Sequence, residues 1–407
     1  MTKGEKTWRR NAFSFLASQT LSLFGSSLVQ YAIMWHIALN TKSGIMMSLF
    51  IICGFIPAFL ISPFAGVWAD RFSRKVIIIL SDALIAVVTL AMALLFAYGY
   101  DYTWLLLFVA AARAVGTGIQ TPAVGAILPQ VVPQGKLTRV NGINGSIQAV
   151  ISFVSPLVSG LLLTLATMQF IFLLDVLTAA VAIITLATLL KIPLHGKAQK
   201  EQPLSYFSDL RQGFAYINRH PFMKTFFIFI ASFFVWISPA AFLPPLQVAR
   251  SFGSQVWYLT ALEVVFSTGM LLGGLLIAIW GGLNNKNHTL ALATLLFAVS
   301  SFALGLVPIF GLYLFFYGIS GVAMPLFNTT ATVLLQEKVE EDYLGRVFGV
   351  LNMISTSMMP LGMLFFGPVA DFIRIETLMA ASGVLLLLQG ALLLGSKKMT
   401  AAGAPQR

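Results

Sequence analysis

A chain of 407 residues that is 58% hydrophobic and only 10% charged has too little polar surface to enclose a water-soluble fold of that size. Its formal charge of +11 would suit nucleic acid only if the basic residues shared one soluble face, and they alternate between loops instead. The composition excludes a soluble domain and a nucleic-acid binder, and it indicates an all-α integral membrane protein.

In chain order, the basic segment 1–10 precedes an apolar run, 13–38, that is longer than the core of a signal peptide and is read as the first span. Eleven more runs of helical length follow, at 46–68, 76–98, 103–128, 141–165, 168–190, 224–247, 255–280, 289–307, 311–335, 347–370 and 377–395. The longest polar stretch, 191–223, separates six spans from six. This divides the chain into an N-terminal bundle (1–190), a linker and a C-terminal bundle (224–407). Within the linker Tyr206, Phe207, Leu210, Phe214 and Ile217 recur at helical spacing before Pro221, which predicts a short amphipathic helix at the membrane surface. Of the 25 Lys and Arg, about 21 fall on one side of these spans, which places both termini in the cytoplasm. Cys53 is the one cysteine, so no intrachain disulfide can form.

The loop between spans 2 and 3, Gly66-Val-Trp-Ala-Asp70-Arg71-Phe-Ser73-Arg74-Lys75, carries residue types with separate physical jobs. Gly66 permits close approach of another helix, and Arg71, Arg74 and Lys75 hold the loop at the cytoplasmic face. Asp70 either pairs with the neighbouring arginines or sits on the positive end of a facing helix, as part of a cytoplasmic lock. The halves also repeat. Leu128, Leu137, Arg139, Val140 and Gly142 recur as Leu335, Leu344, Arg346, Val347 and Gly349, at the entries to spans 5 and 11. Parallel repeats predict two six-helix bundles with a transport site between them near the midplane.

The charged turn resembles the loop between helices 2 and 3 of the major facilitator superfamily, G-x-x-x-D-R-x-G-R-R/K, with Ser73 at the second glycine. Ser155, Pro156, Ser159 and Gly160 in span 5 loosely resemble the antiporter motif G-P-x-x-G-G, and small residues there permit tight packing. The stretches 335–347 and 267–274 look like the macrolide-efflux branch of the drug-proton antiporters. The resemblance implies two six-helix bundles rocking about a central cavity built from spans 1, 4, 7 and 10. Candidate lining residues are Gln30, Met34, Gln120, Phe234, Trp236, Met324, Phe327 and Asn328, where aromatic and methionine side chains suit amphipathic cargo. Arg113 resembles the span 4 arginine tied to proton coupling in that family.

Ionisable groups within spans are costly and mark pathways. Asp82 lies roughly 9 Å inside span 3, close enough to balance Arg71, Arg74 or Lys75, and is assigned with Arg346 to the lock. Glu263 and Asp175 are the candidate proton carriers, because burial favours a protonated carboxyl and a cationic partner favours the ionised one. Arg113, always charged, would tune a nearby acid or bind an anion. His36, near the outer end of span 1, is read as interfacial.

The expectation is therefore proton-coupled efflux of amphipathic drugs of the macrolide type by a monomer in the lipid bilayer. Export of an endogenous solute such as a siderophore or metabolite is the second reading, and a non-transporting sensor or scaffold the third. Neither a Walker-type phosphate loop nor a His, Cys and Asp grouping occurs, so enzymatic activity, a cofactor and a metal are not expected.

Overall fold

Apolar runs of this length have one stable form in lipid, the α-helix, which satisfies every backbone donor and acceptor within the segment. The computed structural model describes residues 3–190 and 206–404, with the side chains of 3–7, 70, 206 and 207 excepted. It contains α1 (Lys3–Thr41), α2 (Gly44–Arg71), α3 (Arg74–Ala97), α4 (Thr103–Val131), α5 (Leu137–Leu165) and α6 (Met168–Leu189). After 191–205, which lies outside the described residues together with Lys191, Lys197 and Lys200, come α7 (Tyr206–Arg219), α8 (Pro221–Phe242), α9 (Pro244–Ser251) and α10 (Val256–Trp280). The chain continues through α11 (Lys286–Leu304), α12 (Phe310–Lys338), α13 (Glu341–Phe372), α14 (Ile375–Gly395) and α15 (Lys397–Gly403). Among the described residues 12 helical segments are long and apolar enough to cross a membrane, with α8 and α9 counted as one.

The seventh span, expected as one run at 224–247, is divided in two at its prolines. Pro244 and Pro245 have no amide hydrogen to donate, so the helix stops at Phe242 and α9 restarts with proline in its first turn. The carbonyl that Pro239 leaves free inside α8, that of Val235, accepts from the Ser238 hydroxyl at 2.8 Å.

The helices form two compact units. One comprises the chain to Ile37 and from Leu49 through α6, and the other comprises Ala38–Ser48 and everything from α7 onward. In the first, α3 packs on α4 and α6, and at the charged-turn end Phe15, Ile78, Ile127, Leu128 and Leu186 share a buried core. Ser155, Pro156, Ser159 and Gly160 are all buried, and the Ser159 hydroxyl donates to the Leu28 carbonyl at 3.1 Å, seating α5 on α1. In the second unit α10 lies against α12 along a glycine seam. A methyl group on Gly269 would strike the Gly318 carbonyl, one on Gly273 that of Val322, and one on Gly321 that of Phe266. Part of the 267–274 stretch is thus a close helix contact.

Two features of the second unit bear on the expected cavity and linker. Phe327 is buried and stacks on Phe233 with centroids 3.9 Å apart, and Phe234 meets Phe327 edge-on at 6.1 Å. Both belong to an aromatic core joining α8 and α12, because offset and edge contacts between rings hold two helices together better than a solvated wall would. The surface helix does form over Tyr206–Arg219, but Tyr216 and Ile217 are buried and Tyr216 stacks on Tyr343 of α13 at 4.6 Å. Of its apolar face Ile217 is buried against protein, Leu210 is half-buried and Phe214 stays exposed.

Candidate functional site

The first unit gathers its buried charges along one face of α1. Ser22 and Ser26 stand one helical turn apart, about 6 Å along the axis, and each meets a carboxylate from another helix. The Ser22 hydroxyl donates to Asp82 of α3 at 2.7 Å, and the Ser26 hydroxyl reaches Asp175 of α6 at 3.5 Å. Gly25 makes this approach possible, since a methyl group there would collide with Asp175 and Thr178.

Arg113 projects from α4 into the same interior. Its guanidinium pairs with the Asp175 carboxylate, donates to the Thr89 hydroxyl, and lies 3.4 Å from the Ser26 carbonyl. Both partners are buried, with side-chain exposures of 9% and 1%, so this is an ion pair inside the bundle. Arg113 and Asp175, two of the three residues expected to handle protons, are thus one structural feature. Glu263, the third, is half-buried on α10 of the second unit.

Asp82 is not bonded as expected. Its Oδ1 accepts from Ser22 and, at 2.8 Å, from the Gln120 side-chain amide, and its residue exposure is 2%. Of the basic groups expected to balance it, Arg74 and Lys75 bond to backbone carbonyls instead, most of them at helix ends. The last carbonyls of a helix lack intrahelical donors and carry its negative pole. Arg74 donates to Ala69 in the last turn of α2 at 3.1 Å and to Ala126 of α4 at 2.7 Å. Lys75 donates to Ala187 and Leu190 at the end of α6, both at 2.8 Å. Arg71 is exposed, and the Asp70 side chain lies outside the described residues. At Gly66 an added methyl meets nothing within 4 Å. Ser73 adopts φ −63° and ψ 114°, ordinary extended backbone, so the turn does not need glycine at that position. Arg346, also assigned to the lock, contacts Asp209 of α7 at 3.3 Å and so anchors the surface helix to α13.

A cavity of about 230 Å³ opens beside Asp82, lined by α1, α4 and α5. Its wall is uncharged and mixed, the side chains of Gln19, Thr20, Ser22, Ser26, Thr117, Gln120, Thr121, Asn144 and Gln148 interrupting a mainly apolar surface with Leu23, Val124, Ile147 and Ile151. The Gln19 amide nitrogen is buried there without a protein acceptor. Gln120 was expected at such a cavity, whereas Gln19, Asn144 and Gln148 were not singled out. The signal was legible as amides placed within otherwise apolar spans. Of the other candidates, Met34, Trp236 and Met324 are half-buried, and Gln30 and Asn328 are exposed.

A second cluster escaped the sequence reading. Asp371, at the end of α13, accepts from the Ser43 hydroxyl at 2.8 Å and from the amides of Gly44 and Ile45 at 2.6 and 3.0 Å, so it caps the start of α2. Arg250 of α9 pairs with Asp371 at 2.6 Å and also donates to Lys42 and Ala370 carbonyls at the ends of α1 and α13. The clue lay in Gly367-x-x-Ala370-Asp371, which repeats the Gly66-x-x-Ala69-Asp70 of the charged turn.

Comparison with known proteins gives the family and the fold. A family model described as Major Facilitator Superfamily matches residues 15–363. The chain is 29% identical over 382 residues to macrolide efflux protein A of Streptococcus pyogenes, covering 93% of this chain and 94% of that protein. It is 22% identical over 394 residues to the staphyloferrin A transporter of Staphylococcus aureus, covering 91% and 92%. Among solved structures, a peptide transporter of the POT family in complex with sulfate aligns with a TM-score of 0.72 at 14% identity, covering all of both chains. A bacterial homologue of the lysosomal transporter Spinster aligns with a TM-score of 0.70 at 15% identity, covering 98% and 99%. At these identities the two structures show a shared fold.

Proposed function

This chain belongs to the Major Facilitator Superfamily, as a multi-pass membrane transporter and not an enzyme, and on that premise we propose that it exports amphipathic drugs of the macrolide type in exchange for protons. The observation that carries the reading is the buried Arg113–Asp175 pair, which touches an uncharged, partly polar cavity through Ser26. Similarity over 93% of the chain to a protein named for macrolide efflux supports the cargo class. Buried charge beside a cavity is the arrangement that lets a proton and a substrate influence each other, since each alters the local electrostatic balance the other meets.

In this reading both termini face the cytoplasm, and alternating access is a rocking of two bundles about a central site, in a monomer. Drug entry favours the ionised state of a carboxyl, Glu263 or Asp175, and releases a proton. Protonation from outside favours drug release, and Arg113 sets the balance. Asp70 with Arg71, Arg74 and Lys75 contributes to the cytoplasmic lock, and Gln30, Met34, Trp236, Met324 and Asn328 add to the cargo wall. A second reading, export of a siderophore or another endogenous solute, is favoured by similarity to the staphyloferrin A transporter.

Accumulation of labelled erythromycin, tetracycline and a cationic dye in cells with and without the protein, before and after collapsing the proton gradient, tests this. Lower accumulation that returns to control on collapse is the expected result. Unchanged accumulation of all three compounds overturns the drug reading in favour of the endogenous solute.

A further inference from the structure

Three ionisable groups are buried together in the first unit, and their charges do not cancel. Arg113 is one cation; Asp82 and Asp175 are two acids. The guanidinium is engaged with Asp175, while Asp82 holds only neutral donors, Ser22 at 2.7 Å and Gln120 at 2.8 Å, both on the same oxygen. Among the described residues no other charge bonds to it from the helices around it. On α4 the facing group is Arg113 and on α6 it is Asp175. On α1 no titratable residue lies between Arg10 and Tyr31. On α3 itself Arg74 and Lys75 donate to backbone carbonyls of α2, α4 and the end of α6. A carboxylate without a cation in a low-dielectric interior is costly, and it becomes neutral by taking a proton or by gaining a cation.

The second possibility has a route. Ser22 and Gln120, the two groups bonded to Asp82, also line the cavity, and none of the lining residues is charged. We propose that Asp82 is the proton-exchanging floor of this cavity and that the cavity takes the cationic group of an amphipathic cargo. One proton leaves Asp82 for water as one positive charge enters, so the buried cluster stays neutral throughout. The inference rests on the export reading, moves the exchanged proton from Glu263 or Asp175 to Asp82, and adds the charge class of the cargo.

Infrared difference spectra of the purified, substrate-free protein across a pH titration read the Asp82 proton directly. The carbonyl band of a protonated carboxylic acid is expected in wild type, weaker by one group in Asp82→Asn, and retained in Asp175→Asn. Asparagine is nearly isosteric and keeps an oxygen for Ser22 and Gln120, and a folded Asp82→Glu variant that restores the band guards against a merely structural effect. A spectrum unaltered by Asp82→Asn overturns the proposal.

Tetraphenylphosphonium, permanently charged and without an exchangeable proton, then tests coupling in weakly buffered detergent. Wild type is expected to release about one proton per cation bound, and Asp82→Asn to bind without that release. Equal release by both, or no binding to wild type, overturns the assignment of Asp82 or of the cationic cargo respectively. Release in detergent without gradient-driven export from cells overturns the export reading instead.

Discussion

The Asp371 carboxylate stands over the first turn of α2 and takes the Gly44 amide hydrogen at 2.6 Å. Helix N-termini expose amides that no intrahelical carbonyl can satisfy, and a carboxylate there satisfies several at once while meeting the positive pole. The contact is tight because Gly44 has no side chain and lies directly against the Gly367 carbonyl, while the Ser48 hydroxyl donates to Met363 at 2.7 Å one turn on. Asp371→Ala should cost about 1 kcal/mol, the ordinary value of a lost cap. Asp371→Asn, which still accepts from the amides, should cost less. Thermal unfolding in detergent checks the order, and equal loss in both variants would assign the effect to the Arg250 pair instead of the cap.

Arg113 and Asp175 are a buried pair, so removing one partner leaves a charge with no compensation. Arg113→Met and Asp175→Leu should each cost about 3–5 kcal/mol, and the double variant less than either single. Chemical denaturation of the four proteins gives the coupling. Additive losses would mean that the two side chains do not interact.

Glycines divide sharply by what surrounds them. Gly269→Val should reduce folded yield, because its new methyl groups face backbone on α12 that cannot rotate away, at a cost of about 1–3 kcal/mol. Gly66→Ala has open space and should change stability by less than about 0.5 kcal/mol. Size-exclusion profiles and melting temperatures separate the two. Transport lost in Gly66→Ala at unchanged stability would locate a close approach in another conformation.

The loops after spans 2 and 8 are built on different backbones. Ser73 has φ −63°, whereas Gly281 and Gly282 have φ 72° and 85°. Ser73→Gly should therefore be destabilising by about 0.4–1 kcal/mol through the unfolded chain, and Gly281→Ala by about 1–2 kcal/mol through left-handed strain. Thermal melts of both variants test this; a stabilised Ser73→Gly would argue for strain at that turn.

Much of the fold was legible in the sequence because lipid leaves a chain few choices. A run of apolar residues must become a helix, so the number of spans and the helix before Pro221 could be read without coordinates. The double proline at 244 and 245 was visible as well, yet its consequence was not, because proline also begins helices and only the chain's path tells which role it takes. The charged turn, the two half-chain repeats and the cost of Arg113 within a span were likewise properties of local chemistry.

What only the tertiary structure decided is which groups meet. Arg113 and Asp175 are 62 positions apart, and Ser22 and Asp82 are 60. No periodicity links such pairs, since helix rotation and the clearance at Gly25 set them. Phe234 and Phe327 read equally well as cavity wall or as core until their rings were seen stacked about Phe233, because an aromatic side chain has the same chemistry in either place. Hydropathy determined that these residues lie within the membrane; the packing of one helix on another determined whether Asp82 would face a lysine, an arginine or, as it does, two neutral donors at the edge of a cavity.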